Sequence, residues 1–388
     1  MYPLKAFLIG CKNRTLADLR SELNHLAIEI ETEVLDVDTG VDWLASHPGN
    51  RRLFIVEAAS PAALAQIERL SHAAAGQPIL ALVDSESDPS TLASCGASEF
   101  AHLPLQSGDI RGALQRAAVD FADSTSHCRT VLVLGATEGS GCTTMSVNLA
   151  FELARLQKRP CILGEQAVAF GRLANYLHIN PPLTLYDLVS ELDQLDAETM
   201  RQALFPVDEH LSVLVGSYLT IRPFTITPEV AFKVLACTME LAETVVVDAR
   251  HNFDDVDFEF AAKVHHLVLV AKPTNPSLNN LRTLLETFSH FGRAGETYVV
   301  INQYEPGEEA LSKETIERYL NVPHVWLVTA DAAAVEAAEN FGQTLRKAVP
   351  TSPAVEDITA LARAILGIPS EQTAHHSGRK WLGLLTGE

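Results

Sequence analysis

The stretch "ATEGSGCTT" (136–144) follows an apolar run at 131–134 and precedes a helical pattern that begins near Thr143. A glycine-rich turn between a strand and a helix suits one kind of chemistry. Its backbone N–H groups curl around a phosphate, and the helix N-terminus adds a favourable dipole. Gly139 and Gly141 stand where such a loop needs them, and Ser140, Cys142, Thr143 and Thr144 complete the candidate cradle. The Thr143 hydroxyl is placed to reach Mg²⁺, and Thr144 to reach a phosphate oxygen. The loop contains no lysine, and Glu138 adds a negative charge to the same turn. A like-charge contact at roughly 4 Å costs about 4 kcal/mol at an effective dielectric of about 20. If Glu138 faces the loop, much of the affinity for a triphosphate is erased. The alternative is that the two glycines only make a tight strand-to-helix turn. Cys142 is either a small filler or a thiol whose pKa the helix N-terminus lowers.

Two alternations of strand and helix must position this loop. "KAFLIG" (5–10), "EVLDV" (33–37), "RLFIV" (52–56), "PILALV" (78–83) and "EFAHL" (99–103) read as short strands with helical stretches between them. Thr15 is expected to cap the first helix, whose apolar face carries Leu16, Leu19, Leu23 and Leu26. Such alternation predicts a parallel sheet covered on both faces, and five strands in about 120 residues make a flavodoxin-like unit. From Val131 the alternation restarts, with strands expected at 131–134, 160–164, 211–216, 244–248, 265–270 and 298–302 and a last helix at 354–366. The fold class expected is therefore α/β throughout: a domain over 1–122, a polar linker over 123–129, a second doubly wound domain over 130–369, and a tail over 370–388.

A length of 388 residues suits two or three domains, and 47% hydrophobic with 20% charged residues predicts sizeable cores. No apolar run approaches the ~18 residues of a membrane span. The start "MYPLKAFLIGCKNR" lacks the features of a secretory leader. The six cysteines are scattered without metal-ligand spacing, which suits reduced thiols and a cytoplasmic setting. A net charge of −20 disfavours broad DNA binding, which depends on Lys and Arg displacing counterions from phosphates.

The run "EGSGCTTMSVNLAFELARL" resembles the ParA/MinD class of deviant P-loop ATPases. In that class two lysines frame the loop; the resemblance places the signature lysine at Thr137 and the Walker lysine at Cys142. It places the acidic pair of the second strand at Glu165 and Ala167, which makes Glu165 a catalytic candidate without its partner. The Walker-B-like strand "TVVVDAR" carries Asp248, either a water-mediated Mg²⁺ ligand beside Thr143 or a cap for the next turn. With the lysines and second acid missing, hydrolysis would need a charge from Arg250 or a partner. Asn302 is either the residue that relatives set against adenine or a turn former.

The segments "FGRLANYLHINPPLTLYDLVSELDQLDAETM", "LVLVAKPTNPSLNNLRTLLE" and "AAENFGQTL" look like the TadZ/CpaE group, atypical ParA/MinD-like proteins of tight-adherence (Flp, type IVc) pilus assembly. The resemblance implies a receiver-like domain in front. Its acidic cluster is replaced at Cys11 and Lys12, its phospho-acceptor by Glu57 and its lysine by Leu103, leaving a constitutive interaction module. An α/β domain unrelated to receivers is the other reading. The implied function is a scaffold that places the pilus machinery and holds ATP or ADP with Mg²⁺ weakly or not at all. A slow nucleotide-switched ATPase is the alternative, and a DNA-partition ATPase a third. The implied partners are a second copy of the chain, the secretion ATPase and the inner-membrane platform. In the tail "GRKWLGLLTGE", Trp381, Leu382, Leu384 and Leu385 beside Arg379 and Lys380 suit contact with a membrane surface or an apolar groove at the inner membrane or cell pole.

Overall fold

Alternating strands and helices build two sheets. The computed structural model describes residues 5–369, except 26–27, 48–51, 59–60, 75, 85–88, 107–109, 111, 115, 118–127, 168–170, 191–194, 218–225, 250–252, 254, 291–294 and 308–309. Most of the expected linker, Arg250 and the tail 370–388 lie outside the described residues. The chain divides into two compact units. The first takes Met1–Cys128 together with Tyr186–Ala203 and Thr225–Glu243, and the second takes the remainder.

From Lys5 to His102 the order is β1 (Lys5–Ile9), α1 (Asn13–His25), β2 (Glu29–Val34), α2 (Val37–Ser46), β3 (Arg52–Glu57), α3 (Pro61–Ala74), β4 (Ile79–Val83), α4 (Pro89–Ser94) and β5 (Glu99–His102). The strands pair in parallel in the order β2-β1-β3-β4-β5, the order of flavodoxin-like sheets. Successive side chains alternate between two buried faces. Ala6, Leu8, Leu53, Ile55, Leu80 and Leu82 pack with Leu19 and Leu23 of α1, while Phe7, Ile9, Phe54, Val56, Ala81 and Val83 pack with Ile67 and Leu70 of α3. Two expectations need correction. The first helix starts at Asn13, so Thr15 lies inside it. The second strand ends at Val34, because Asp36 accepts from the Thr39 N–H at 2.8 Å and caps α2; Leu35, expected in the strand, is 86% exposed.

The remaining elements are β6 (Arg129–Gly135), α5 (Cys142–Gln157), β7 (Cys161–Glu165), α6 (Leu173–Tyr176), α7 (Leu185–Ser190), α8 (Ala197–Ala203), β8 (Phe205–Asp208), β9 (Leu211–Leu214), α9 (Pro228–Met239), β10 (Thr244–Asp248), α10 (Asp255–Lys263), β11 (His266–Ala271), α11 (Asn275–His290), β12 (Glu296–Tyr304), α12 (Lys313–Leu320), β13 (Trp326–Thr329), α13 (Ala332–Phe341), α14 (Leu345–Ala348) and α15 (Pro353–Ile365). The second unit's sheet runs β13-β12-β11-β6-β10-β7-β9-β8, parallel except for the β8–β9 pair. β8 and β13 were not among the six expected strands. One core joins β6, β7, β9, β11 and β12 to α5 and α15. β6 lies between β10 and β11, and all three are parallel. The carboxyl ends of the neighbouring strands therefore line up along one rim, where open α/β sheets place their ligands.

Candidate functional site

The loop 136–141 leaves β6 at that rim and runs into α5. Gly141 occupies the N-cap position at φ 86°, a left-handed conformation that only glycine adopts without strain. A Cβ there would also lie 2.3 Å from the Asn302 amide nitrogen. No side chain caps the first turn of α5, and Gly141–Thr144 line the cavity there. The loop's carbonyls are tied from behind. The Ala136 N–H donates to Val270 O at 2.8 Å, and the Asn280 amide to Ala136 O at 3.3 Å. Asn302 Nδ2 donates to Ser140 O at 2.8 Å, and Gln303 Nε2 to Gly139 O at 3.4 Å. Thr137 pairs through its hydroxyl with Ser277 at 3.0 Å.

The carboxyl end of β10 supplies the acid. Asp248 is buried and accepts from Ser146 Oγ at 2.7 Å, Thr143 Oγ1 at 2.8 Å and Cys142 Sγ at 3.5 Å. Burial raises its carboxyl above the ordinary range, and those three donors pull it back. The Asp248 carboxylate turns inward to α5, and most of the turn that follows it lies outside the described residues. Burial, reinforced by Asp248, pushes the Cys142 thiol well above its ordinary value. The expectation of a reactive thiolate is therefore corrected, because the carboxylate and burial outweigh the helix dipole.

Glu165 ends β7 and is buried at 4% exposure. It accepts from the Arg172 N–H at 2.5 Å through one oxygen and from the Gly216 N–H at 2.9 Å through the other. Burial lifts its carboxyl to about 7; the Arg172 N–H opposes the rise and Asp248 adds to it. Glu165 thus braces the segment that begins α6. Glu138 is exposed and lines the loop cavity, which holds about 860 Å³. Ala167, Arg172, Asn175, Tyr176 and Glu339 line it as well. Asn302 lies within β12, so of its two expectations the turn is excluded; it borders a second cavity beside the loop with Gln303, Asp331 and Glu336.

A hard cation with oxygen ligands fits the pair Thr143 Oγ1 and Asp248 Oδ2. Among the described residues no cluster of three His, Cys, Asp or Glu side chains could hold a metal alone. Mg²⁺ would therefore be held there with the help of phosphate and water.

No family model matches the chain. An uncharacterized ATP-binding protein of Methanocaldococcus jannaschii is 24% identical over 236 residues, covering 60% of this chain and 86% of that protein. A ParA family ATPase of Chlorobium tepidum superimposes with a TM-score of 0.55 at 20% identity, over 61% of this chain and 98% of that one. The cell division ATPase MinD of Pyrococcus furiosus does so with a TM-score of 0.51 at 18% identity, over 62% of this chain and 98% of that one. The chain carries the ParA/MinD P-loop ATPase fold. Where the resemblance sets the two lysines of that class, Thr137 is engaged with Ser277 and Cys142 with Asp248. Sequence reasoning found the loop, Asp248 and Glu165, but not the bracing by Ser277, Asn280 and Gln303. Those three come from other elements, and only the sheet order brings them to the loop.

Proposed function

We propose that the chain is a localisation and assembly scaffold of the TadZ/CpaE type for a tight-adherence (Flp, type IVc) pilus. A receiver-like front domain and a ParA/MinD-like domain serve as binding surfaces. The observation that supports this best is the state of the loop. Its backbone is fixed by side chains from β12 and α11, while the two positions where the resemblance sets lysines hold neutral groups, Thr137 bonded to Ser277 and Cys142 to Asp248. Such a loop keeps its architecture without ligand. The front domain supports a constitutive module: Glu57 accepts the Lys12 N–H at 3.2 Å, and Cys11 takes the place of an acid beside it. The partners proposed are a second copy, the secretion ATPase and the inner-membrane platform. The protein would work on the cytoplasmic side, with the tail touching the membrane or cell pole.

A slow nucleotide switch is the second reading, favoured by the intact Thr143–Asp248 pair. One experiment separates them. Thr143→Ala and Asp248→Asn are introduced into a piliated host as fluorescent fusions, and ATP turnover is measured on the purified proteins. The scaffold predicts normal localisation and piliation with both variants. Loss of both, together with turnover that disappears in the variants, would establish the switch.

A further inference from the structure

We infer that the cations missing from the loop are replaced in space by Arg172, in the loop cavity, and Lys272, against Gly139, which grip the phosphates of a bound nucleotide. The inference rests on reading the loop as a nucleotide site and names the groups that give it affinity. Arg172 is exposed, precedes α6 and lines the same cavity as Gly139–Thr144. Its backbone is fixed by Glu165, and its positive charge is felt at Asp248, on the metal side of the cavity. Lys272 follows β11 at the same rim, with its N–H donated to Ser277 Oγ at 3.0 Å. Its Nζ lies 3.4 Å from the place a Cβ would take at Gly139. Because Gly139 has no side chain, the ammonium rests against the loop itself.

Acidic residues outnumber basic ones 49 to 29 in this chain. Even so, neither the Arg172 guanidinium nor the Lys272 ammonium has a described ion pair or hydrogen bond. No other Lys or Arg among the described residues lines either cavity at the loop or the smaller cleft beside Lys272. Glu138, Glu165, Asp248 and Glu339 line the loop cavity with Arg172 as its one described cation, so a polyphosphate there needs positive charge from Arg172 and from Lys272 beside Gly139. A guanidinium in the loop cavity and an ammonium resting against Gly139 can each take a different phosphate, and this favours a di- or triphosphate over a monophosphate.

The test is titration of the full-length protein with fluorescently labelled ATP in Mg²⁺, with adenosine as a ligand lacking phosphates. Arg172→Ala and Lys272→Ala should each weaken ATP binding by about tenfold, as loss of a charge-assisted contact does. Arg172→Lys and Lys272→Arg should restore most of it, adenosine binding should not move, and Arg14→Ala, an exposed cation of the other unit, should bind as wild type. Unchanged thermal unfolding of the alanine variants shows that the loss is not misfolding. If wild type binds ATP and the alanine variants bind equally well, the assignment of the cations is wrong while the nucleotide site stands. If wild type does not bind millimolar Mg-ATP, the site and the inference fall together.

Discussion

Cys142 stands at a position where the class carries a lysine, and its surroundings hold it as a neutral thiol that donates to Asp248 and to Val133 O. Cys11 is held similarly, its thiol pushed up to about 12 by burial and then by Glu57. At pH 8 a thiol with a pKa of about 12 keeps roughly one part in ten thousand as thiolate. Cys11 and Cys142 should therefore resist iodoacetamide at pH 8 in the native protein and react once it is unfolded, as peptide mapping by mass spectrometry would show. Restoring the lysine should act in the opposite sense. Cys142→Lys puts an ammonium beside Asp248 at the first turn of α5 and should tighten Mg-ATP binding by about tenfold in the same titration. The glycines and threonines of this site were legible because their spacing along the chain is the motif. Arg172 and Lys272 were not, because they follow β7 and β11 at no fixed distance from the loop and only the strand order makes them neighbours.

Helices α5, α14 and α15 meet at Glu152. It is buried at 2% exposure and accepts from Arg346 Nε at 2.5 Å, Arg155 Nη2 at 2.6 Å and Thr359 Oγ1 at 3.2 Å. Arg346→Ala removes the partner on the neighbouring helix and leaves a buried carboxylate half-compensated. The expected loss is on the order of 3 kcal/mol, read by urea unfolding followed through tryptophan fluorescence. Glu152→Gln with Arg346→Met should recover most of it. Glu165 gives a pH-dependent counterpart on β7. Its folded pKa of about 7 lies above the ordinary carboxyl value of 4.5, so the folded state holds the proton where the unfolded chain has released it. Its contribution is full below pH 4.5 and is lost as pH rises to about 7, a change of roughly 3 kcal/mol. Glu165→Gln should flatten the fall in melting temperature between pH 5 and pH 8. The strands misplaced or missed in the sequence share one physical property: β2, β8 and β13 all lie at sheet edges. Their residues are mostly half-buried or exposed, so the apolar signal that marks β3, β4 and β11 is diluted.

For the whole molecule, net charge and loop chemistry act on association. A charge of −20 offers little counterion release, so affinity for random-sequence duplex DNA should be undetectable at physiological salt in a filter-binding assay. Association between copies is expected from the resemblance to ParA and MinD, in which the signature lysine crosses to the partner's phosphates. Thr137 occupies that position here, and its short side chain is already paired with Ser277. It can neither span an interface nor offer a positive charge there. Any dimer is therefore expected to draw its stability from surface contacts that nucleotide does not alter. Sedimentation velocity over a range of protein concentrations should give the same monomer–dimer constant with Mg-ATP, with Mg-ADP and without nucleotide. A dimer constant that tightened about tenfold with ATP alone would mean that some cation crosses the interface after all. Repeating the run with Lys272→Ala and Arg172→Ala would then identify it.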